Sequence, residues 1–340
     1  MIRRIALVLA AVAALAGLTS GPALAQKVNI AALRLVSSGP LFVAMERGYY
    51  AAEGLEVEFK FFDAAQPVAL AIAAGDADVG VTAFTAGFFN LAGQGTLQVI
   101  GAQSREEPGF DFSAYVVSNK AYAEGVTTVE KWPGRSFAMT QVGSSFHYMI
   151  GRLAEEKGFP LQGMDLKPLQ SLPNMTAAVK SGQVDTAIMP GNMAVALNTA
   201  GEAKLIGWVH EHTPWALGGL FTSTRNVREK RATLEKFVRA YQKGAKDYNA
   251  AMNARDATGK RVFGAEADAV IAIIQKYTQS TPQAIRESAP FIDPAGRLDV
   301  GDVYRQVGWY QKQGLVDASA DAAKFIDLTF IQGHTNVPRR

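Results

Sequence analysis

Two short stretches place hydroxyl groups where they could act on a small molecule: Val36-Ser37-Ser38-Gly39 and Gly143-Ser144-Ser145, each directly before a helical pattern. Small hydroxyl residues at a helix start bring side-chain donors together with unpaired backbone N–H groups, an arrangement suited to an anionic or polar group. The same serines can cap their helices, and the two roles are compatible. His147 follows Ser145 by two positions, in the first turn, where the positive helix end disfavours imidazolium and leaves a neutral hydrogen-bonding ring. Ser145, His147 and a distant carboxylate are also the raw material of a hydrolase, although the chain has no GxSxG elbow. Asp78 and Asp185 could be read as a catalytic carboxylate pair. Each stands three residues after a glycine, Gly75 and Gly182, and that matching place in a Gly-x-x-Asp turn favours a structural role in both. His210-Glu211-His212 raises a metal question, but ligands normally come from several elements and there is no HExxH helix, so no metal and no other cofactor is expected.

Much chemistry is excluded by what the 340 residues lack. With no cysteine there is no disulfide, thiolate metal site or cysteine nucleophile. With no GxxxxGK[ST] and no GxGxxG there is no recognisable nucleotide loop. Lys and Arg total 34 against 31 acidic residues, a near balance without the basic footprint of a nucleic-acid binder. A hydrophobic share of 48% with 19% charged residues is that of a globular chain, and this length calls for more than one core.

The elements that must position the serines are written twice. Val28–Leu33 reads as a strand, Val36–Gly39 as a loop and Pro40–Glu46 as a helix; Ser136–Thr140, Gly143–Ser145 and Phe146–Lys157 repeat the order. In the later helix Phe146, Met149, Ile150, Leu153 and Ala154 form an apolar stripe that reads as core. Gly54 and Gly158 fit left-handed helix stops. Second strands follow at Val57–Phe62 and Leu166–Leu169, then alanine-rich helices opened by Pro67 and Pro173 and ended by Gly75 and Gly182. Third strands come at Val79–Thr82 and Thr186–Met189. Strand, helix, strand, helix, strand in two copies predicts an α/β protein of two similar parallel βαβ lobes, since parallel neighbours need crossover helices.

The first residues have the form of an export signal: Arg3 and Arg4, the apolar run Ile5–Leu18, then Ala23-Leu24-Ala25 as a cleavage site, so the mature chain is expected to begin at Gln26 and to be exported. The closing Arg339-Arg340 reads as a solvated tail.

The segments GPLFVAMERGYYAAEGLEVEF, AIAAGDADVGVTAF, GSSFH and AAVKSGQVDTAIM resemble the periplasmic substrate-binding proteins of ABC importers, in the branch of sulfonate, taurine and thiamine-precursor binders. The resemblance runs from about Val28 to about Leu328 and takes in Leu234–Tyr241 and Val307–Val316. It implies the type II periplasmic binding fold, two lobes with a ligand cleft and two hinge strands. The outward crossing is then expected near Tyr115–Ser118 and the return near Gly219–Thr222, with a signal peptide at 1–25, lobe one at 26–116, lobe two at 117–219 and lobe one resumed at 220–340. It also implies a monomeric receptor in the periplasm, not an enzyme, that hands a small-molecule ligand to an inner-membrane ABC permease, with presentation of the closed form to a membrane sensor as the alternative; one branch of the fold makes a thiamine pyrimidine, but with a cysteine motif that this chain lacks.

Ligands of open α/β sheets bind outside the carboxyl ends of the strands, where helix N-termini gather. That rule selects Ser37, Ser38, Gly39, Thr82, Phe84, Thr85, Gln103, Gly143, Ser144, Ser145, His147, Asn174, Pro190, Asn192 and Trp215 as candidate ligand contacts. Serine-rich helix starts point to a carboxylate or sulfonate, and neighbouring Phe, Trp and Met to an apolar or aromatic body; no single arginine stands out as an anion clamp.

Overall fold

The computed structural model describes residues 25–335. The proposed signal, apart from Ala25, and the arginine tail lie outside the described residues.

Two five-stranded sheets are built to one plan. The first contains β1 (Gln26–Ala32), β2 (Leu55–Phe61), β3 (Val79–Ala83), β4 (Leu97–Ala102) and β10 (Gly218–Ser223), in the order β2-β1-β3-β10-β4. The second contains β5 (Ser113–Ser118), β6 (Ser136–Met139), β7 (Asp165–Pro168), β8 (Thr186–Pro190) and β9 (Ala203–Trp208), in the order β7-β6-β8-β5-β9. In each sheet the first three strands are parallel, as the written repeat demands. The central strands β3 and β8 are buried along their whole length, the expected state of a parallel strand covered on both faces.

The repeat extends further than the three parallel strands. Each sheet takes in one antiparallel strand from the chain that has just left the other, β5 in the second and β10 in the first. Each of these pairs irregularly with its outer neighbour, the register shifting between Leu220 and Phe221 against β4 and between Tyr115 and Val116 against β9. The matching segments Val99-Ile100-Gly101 and Leu205-Ile206-Gly207 supply the extra residue. Tyr115–Ser118 and Gly219–Thr222 are therefore inside the sheets and are not the crossings. The chain passes between sheets over 103–112 and 209–217, where Arg105 and Ala216 form an isolated antiparallel bridge.

Glycines stop the helices where the pattern requires. Gly54, Gly75, Gly158 and Gly182 all have φ between 72° and 86°, a region that side chains rarely enter. The first helix, Gly39–Glu46, is shorter than a run to Gly54 would make it, because Gly48 at φ 70° breaks it before the short helix Tyr49–Ala52.

The C-terminal part returns to the first sheet with the helix Arg231–Met252 packed on Gly39–Glu46, and then bridges the molecule. In the helix Val300–Lys312, Trp309 sits over Gly151 of the second lobe so tightly that a Cβ there would meet the indole at 2.0 Å. Tyr310 donates its hydroxyl hydrogen to the Ser144 carbonyl at 2.9 Å. Among the described residues no helix is long and apolar enough to cross a membrane.

Candidate functional site

The carboxyl ends of the parallel strands and the beginnings of the antiparallel strands of both sheets meet at one cleft of about 560 Å³, open mouth included. From the first lobe come Leu33 and Leu35 after β1, Ser37 in the following turn, Ala64 and Ala65 after β2, and Thr82 and Ala83 at the end of β3. The second lobe supplies Thr140 after β6, Ser145, Phe146 and Met149 of the helix Ser145–Lys157, Leu172 at the start of the helix Leu172–Lys180, and Pro190 at the end of β8. Gln103, Phe112, Ser113 and Leu217 belong to the two crossings or adjoin them. The antiparallel strands run the other way, so their beginnings lie at the edge where the parallel strands finish.

The lobes touch on two sides of this space. Ala86, first residue of the helix Ala86–Gly93, donates its N–H to the Gly143 carbonyl at 2.8 Å, and Leu172 donates its N–H to the Asp63 carbonyl at 3.1 Å. Asn192 reaches Ser280 through Nδ2 at 3.0 Å. The arrangement is a closed one.

Five of the sequence-selected residues line the cleft: Ser37, Thr82, Gln103, Ser145 and Pro190. The other ten are spent elsewhere. Ser38 donates to the Leu33 carbonyl at 2.9 Å, and Gly39 is pressed against the Tyr248 ring. Phe84 is wholly buried in a cluster with Phe88 and Phe89. Thr85 and Ser144 cap their helices by accepting from the N–H groups of Phe88 and His147. Gly143, at φ 79°, faces Ala86 across the lobe contact. His147 accepts the Gly143 N–H at Nδ1 and meets Trp309 edge-on; burial lowers its pKa, in keeping with the neutral ring expected. Asn174 is exposed and bonds the Leu169 carbonyl, and Asn192 serves the contact with Ser280. Trp215 packs on Tyr148 behind the cleft.

Met149 moves the other way: the apolar stripe of its helix is core at Ile150, Leu153 and Ala154, but Phe146 and Met149 border the cleft. Leu33, Thr140, Ser113 and Leu217 were also missed. The strand-end rule itself would have found Leu33 and Thr140, the first residues past matching strands.

Among the described residues no Asp, Glu, His, Lys, Arg or Tyr lines the cleft. A buried acid stands behind one of the lining residues: Glu106, fully buried, accepts the Ser113 N–H at Oε1 over 3.0 Å. Burial pushes this carboxyl up to about 8, with the charge of Asp111 adding to the rise, so it is protonated at neutral pH. Gln103, only 3% exposed, donates through Nε2 to the Ser37 Oγ at 3.3 Å and has Oε1 unpartnered. Asp78 and Asp185 are far from this chemistry. Their carboxylates accept the N–H groups of Asn29 at 2.9 Å and Ser136 at 3.2 Å, each 49 residues upstream, tying the third strand to the first in both lobes.

The profile of the family described as NMT1/THI5 like matches residues 36–254, more than half of the chain. The chain belongs to this family. No curated protein sequence matches it. Among solved structures, the alkanesulfonate-binding protein SsuA of Xanthomonas axonopodis bound to MOPS aligns with a TM-score of 0.71 at 18% identity, over 90% of this chain and 99% of that one. The periplasmic nitrate-binding protein NrtA of Synechocystis PCC 6803 aligns at 0.70 and 12% identity, over 90% and 87%. A DszB variant in complex with biphenyl-2-sulfinic acid aligns at 0.59 and 12%, over 90% and 97%. At such identities the likeness is one of fold, and this NMT1/THI5-like chain has the two-lobed α/β fold of periplasmic binding proteins.

Proposed function

We propose that this protein is a solute receptor of the periplasm: it closes its two lobes over a small organic molecule and presents the closed form to the membrane permease of an ABC importer. The observation that carries the reading is the composition of the cleft wall. Both lobes contribute to it, so a ligand gains contacts in the closed state that an open one cannot offer, which is the condition for ligand-driven closure. The sulfonate- and nitrate-binding structures that share the fold support the same role.

The cleft is poorly equipped for hydrolysis. Ser145 lines it, but the His147 ring is engaged by Gly143 and Trp309, and among the described residues no titratable group borders the space to act as base or acid. We therefore read the protein as a binder and not an enzyme, working as a monomer, without cofactor and without nucleic acid.

The test uses the mature chain, unfolded and refolded to strip any guest, then mixed with a bacterial metabolite extract. Mass spectrometry is expected to find one solute retained unchanged in stoichiometric amount, with the radius of gyration falling on binding. Retention of nothing, or recovery of a chemically altered solute, overturns the receptor reading.

A further inference from the structure

The helix Val300–Lys312 is fastened both to the first lobe and to the hinge. Its Asp302 and Gln306 are wholly buried and one turn apart, so both can face the return crossing at Ala216. The Ala216 N–H donates to Asp302 Oδ2 at 2.8 Å, and Gln306 donates through Nε2 to the Ala216 carbonyl at 2.7 Å. Ala216 in turn lies opposite Arg105 of the outward crossing. On either side of that bridge Glu106 donates its N–H to the Trp215 carbonyl and Leu217 donates its own to the Ser104 carbonyl, both at 2.9 Å. Just past the helix, Asn90 of the first lobe donates through Nδ2 to the Leu315 carbonyl at 2.9 Å and accepts the Asp317 N–H at Oδ1 at 3.0 Å. A helix held at these places stays with the first lobe and the hinge when the lobes part.

The far end of the same helix grips the second lobe, on the back of an element of the cleft. Ser145, Phe146 and Met149 line the cleft from the helix Ser145–Lys157. Ser144, His147, Tyr148 and Gly151, at positions i, i+3, i+4 and i+7, share the opposite face. Trp309 occupies the notch at Gly151 and meets the rings of His147 and Tyr148 edge-on, each at 5.4 Å between centroids. Tyr310 packs on Phe89 of the first lobe and donates its hydroxyl hydrogen to the Ser144 carbonyl, which also accepts the Tyr148 N–H. Swinging the second lobe away must move this face past the indole and break the tyrosine's bond. We propose that Trp309 and Tyr310 are positioning residues of the cleft: acting through the back of the Ser145–Lys157 helix, they hold its cleft-facing side in the closed arrangement and bias the lobes toward closure. The inference goes beyond the receptor reading, since it concerns the balance of open and closed forms and not the guest.

Amide hydrogen exchange on the ligand-stripped mature chain, read by mass spectrometry on peptides, tests this without any solute. The Ala86 and Leu172 N–H groups are bonded across the lobes, so their exchange follows opening, whereas the N–H groups of β1 and β3 follow unfolding of the first lobe. Tyr310→Phe, which removes only the hydroxyl, is expected to speed exchange around Ala86 and Leu172 by about two- to tenfold, the range for one hydrogen bond, and to leave β1 and β3 at the wild-type rate. Gly151→Ala, whose methyl would meet the indole at 2.0 Å, should speed the same two peptides by more. If that variant does not fold, Tyr310→Phe decides alone. Wild-type exchange at both peptides in Tyr310→Phe overturns the inference, as does an equal acceleration in β1 and β3, which would mark a merely stabilising contact. The receptor reading is judged apart from this, by retention of a solute from extract: a chain that retains one while its exchange ignores Tyr310→Phe loses the positioning role and keeps the receptor.

Discussion

Glu106 is a carboxylic acid in a place where only its neutral form is comfortable. Its Oε1 accepts the Ser113 N–H, and the side chain sees no solvent. With a pKa of about 8 in the fold, and an ordinary carboxylate value in the unfolded chain, it takes up a proton on folding across the interval between them. Its contribution to stability is thus complete below the ordinary carboxylate range and is lost as pH climbs to about 8, at up to about 1.4 kcal/mol per pH unit. Thermal melts from pH 5 to pH 8 should show the wild type losing stability steadily and Glu106→Gln, isosteric and never ionised, losing markedly less. Parallel curves for the two proteins would show that this acid does not titrate as its burial implies. Because Glu106 stands behind Ser113 and does not itself line the cleft, the same substitution should leave solute affinity nearly unchanged at pH 6, where both side chains are neutral.

At the scale of elements, the Gly-x-x-Asp turn repeats because each sheet needs its third strand fastened to its first. Asp185 holds both the N–H and the Oγ of Ser136, and the Ser136 Oγ accepts the Asp185 N–H at 2.9 Å. Asp78 holds the Asn29 N–H and is paired with Lys230 at 2.7 Å. Removing either carboxylate leaves a strand amide unsatisfied, so Asp78→Ala and Asp185→Ala should each cost about 1–3 kcal/mol in denaturant unfolding, with the affinity for solute preserved. A large loss of affinity with no loss of stability would return these acids to the site. The parallel strands, crossover helices and glycine stops were legible because each has a local signature: apolar runs, helical stripes and the need for positive φ. The antiparallel strands β5 and β10 were not, since nothing local distinguishes a β-prone segment that crosses from one that has already joined the far sheet. The site was legible only in outline. Strand ends pointed to the right edge of the molecule, but Ser38, Thr85 and Ser144 could not be told from ligand contacts, because a cap and a binding donor have the same sequence. The leucines of the wall carry no sign that sets them apart from core.

For the whole molecule the decisive question is what holds the lobes together, and two backbone hydrogen bonds flank the cleft, Ala86 to Gly143 and Leu172 to Asp63. Because backbone groups make them, they ask nothing of side-chain identity beyond close approach; Gly143 provides it, since a Cβ there would lie 2.8 Å from that of Ala86. A proline at position 86 isolates this contact. Ala86 is the first residue of its helix, where proline is well tolerated, so the helix should survive while the donor to Gly143 disappears and the ring is pushed against the opposite carbonyl. Ala86→Pro should therefore move the equilibrium toward the open form without unfolding either lobe. The expected signs are a larger radius of gyration in solution scattering, a melting temperature close to wild type, and solute affinity reduced by about tenfold, the equivalent of one hydrogen bond of closing energy. If the variant scatters as compactly as wild type and binds as well, these contacts follow closure and contribute nothing to it, and the closing energy must come from the guest and from the C-terminal bridge of Trp309 and Tyr310.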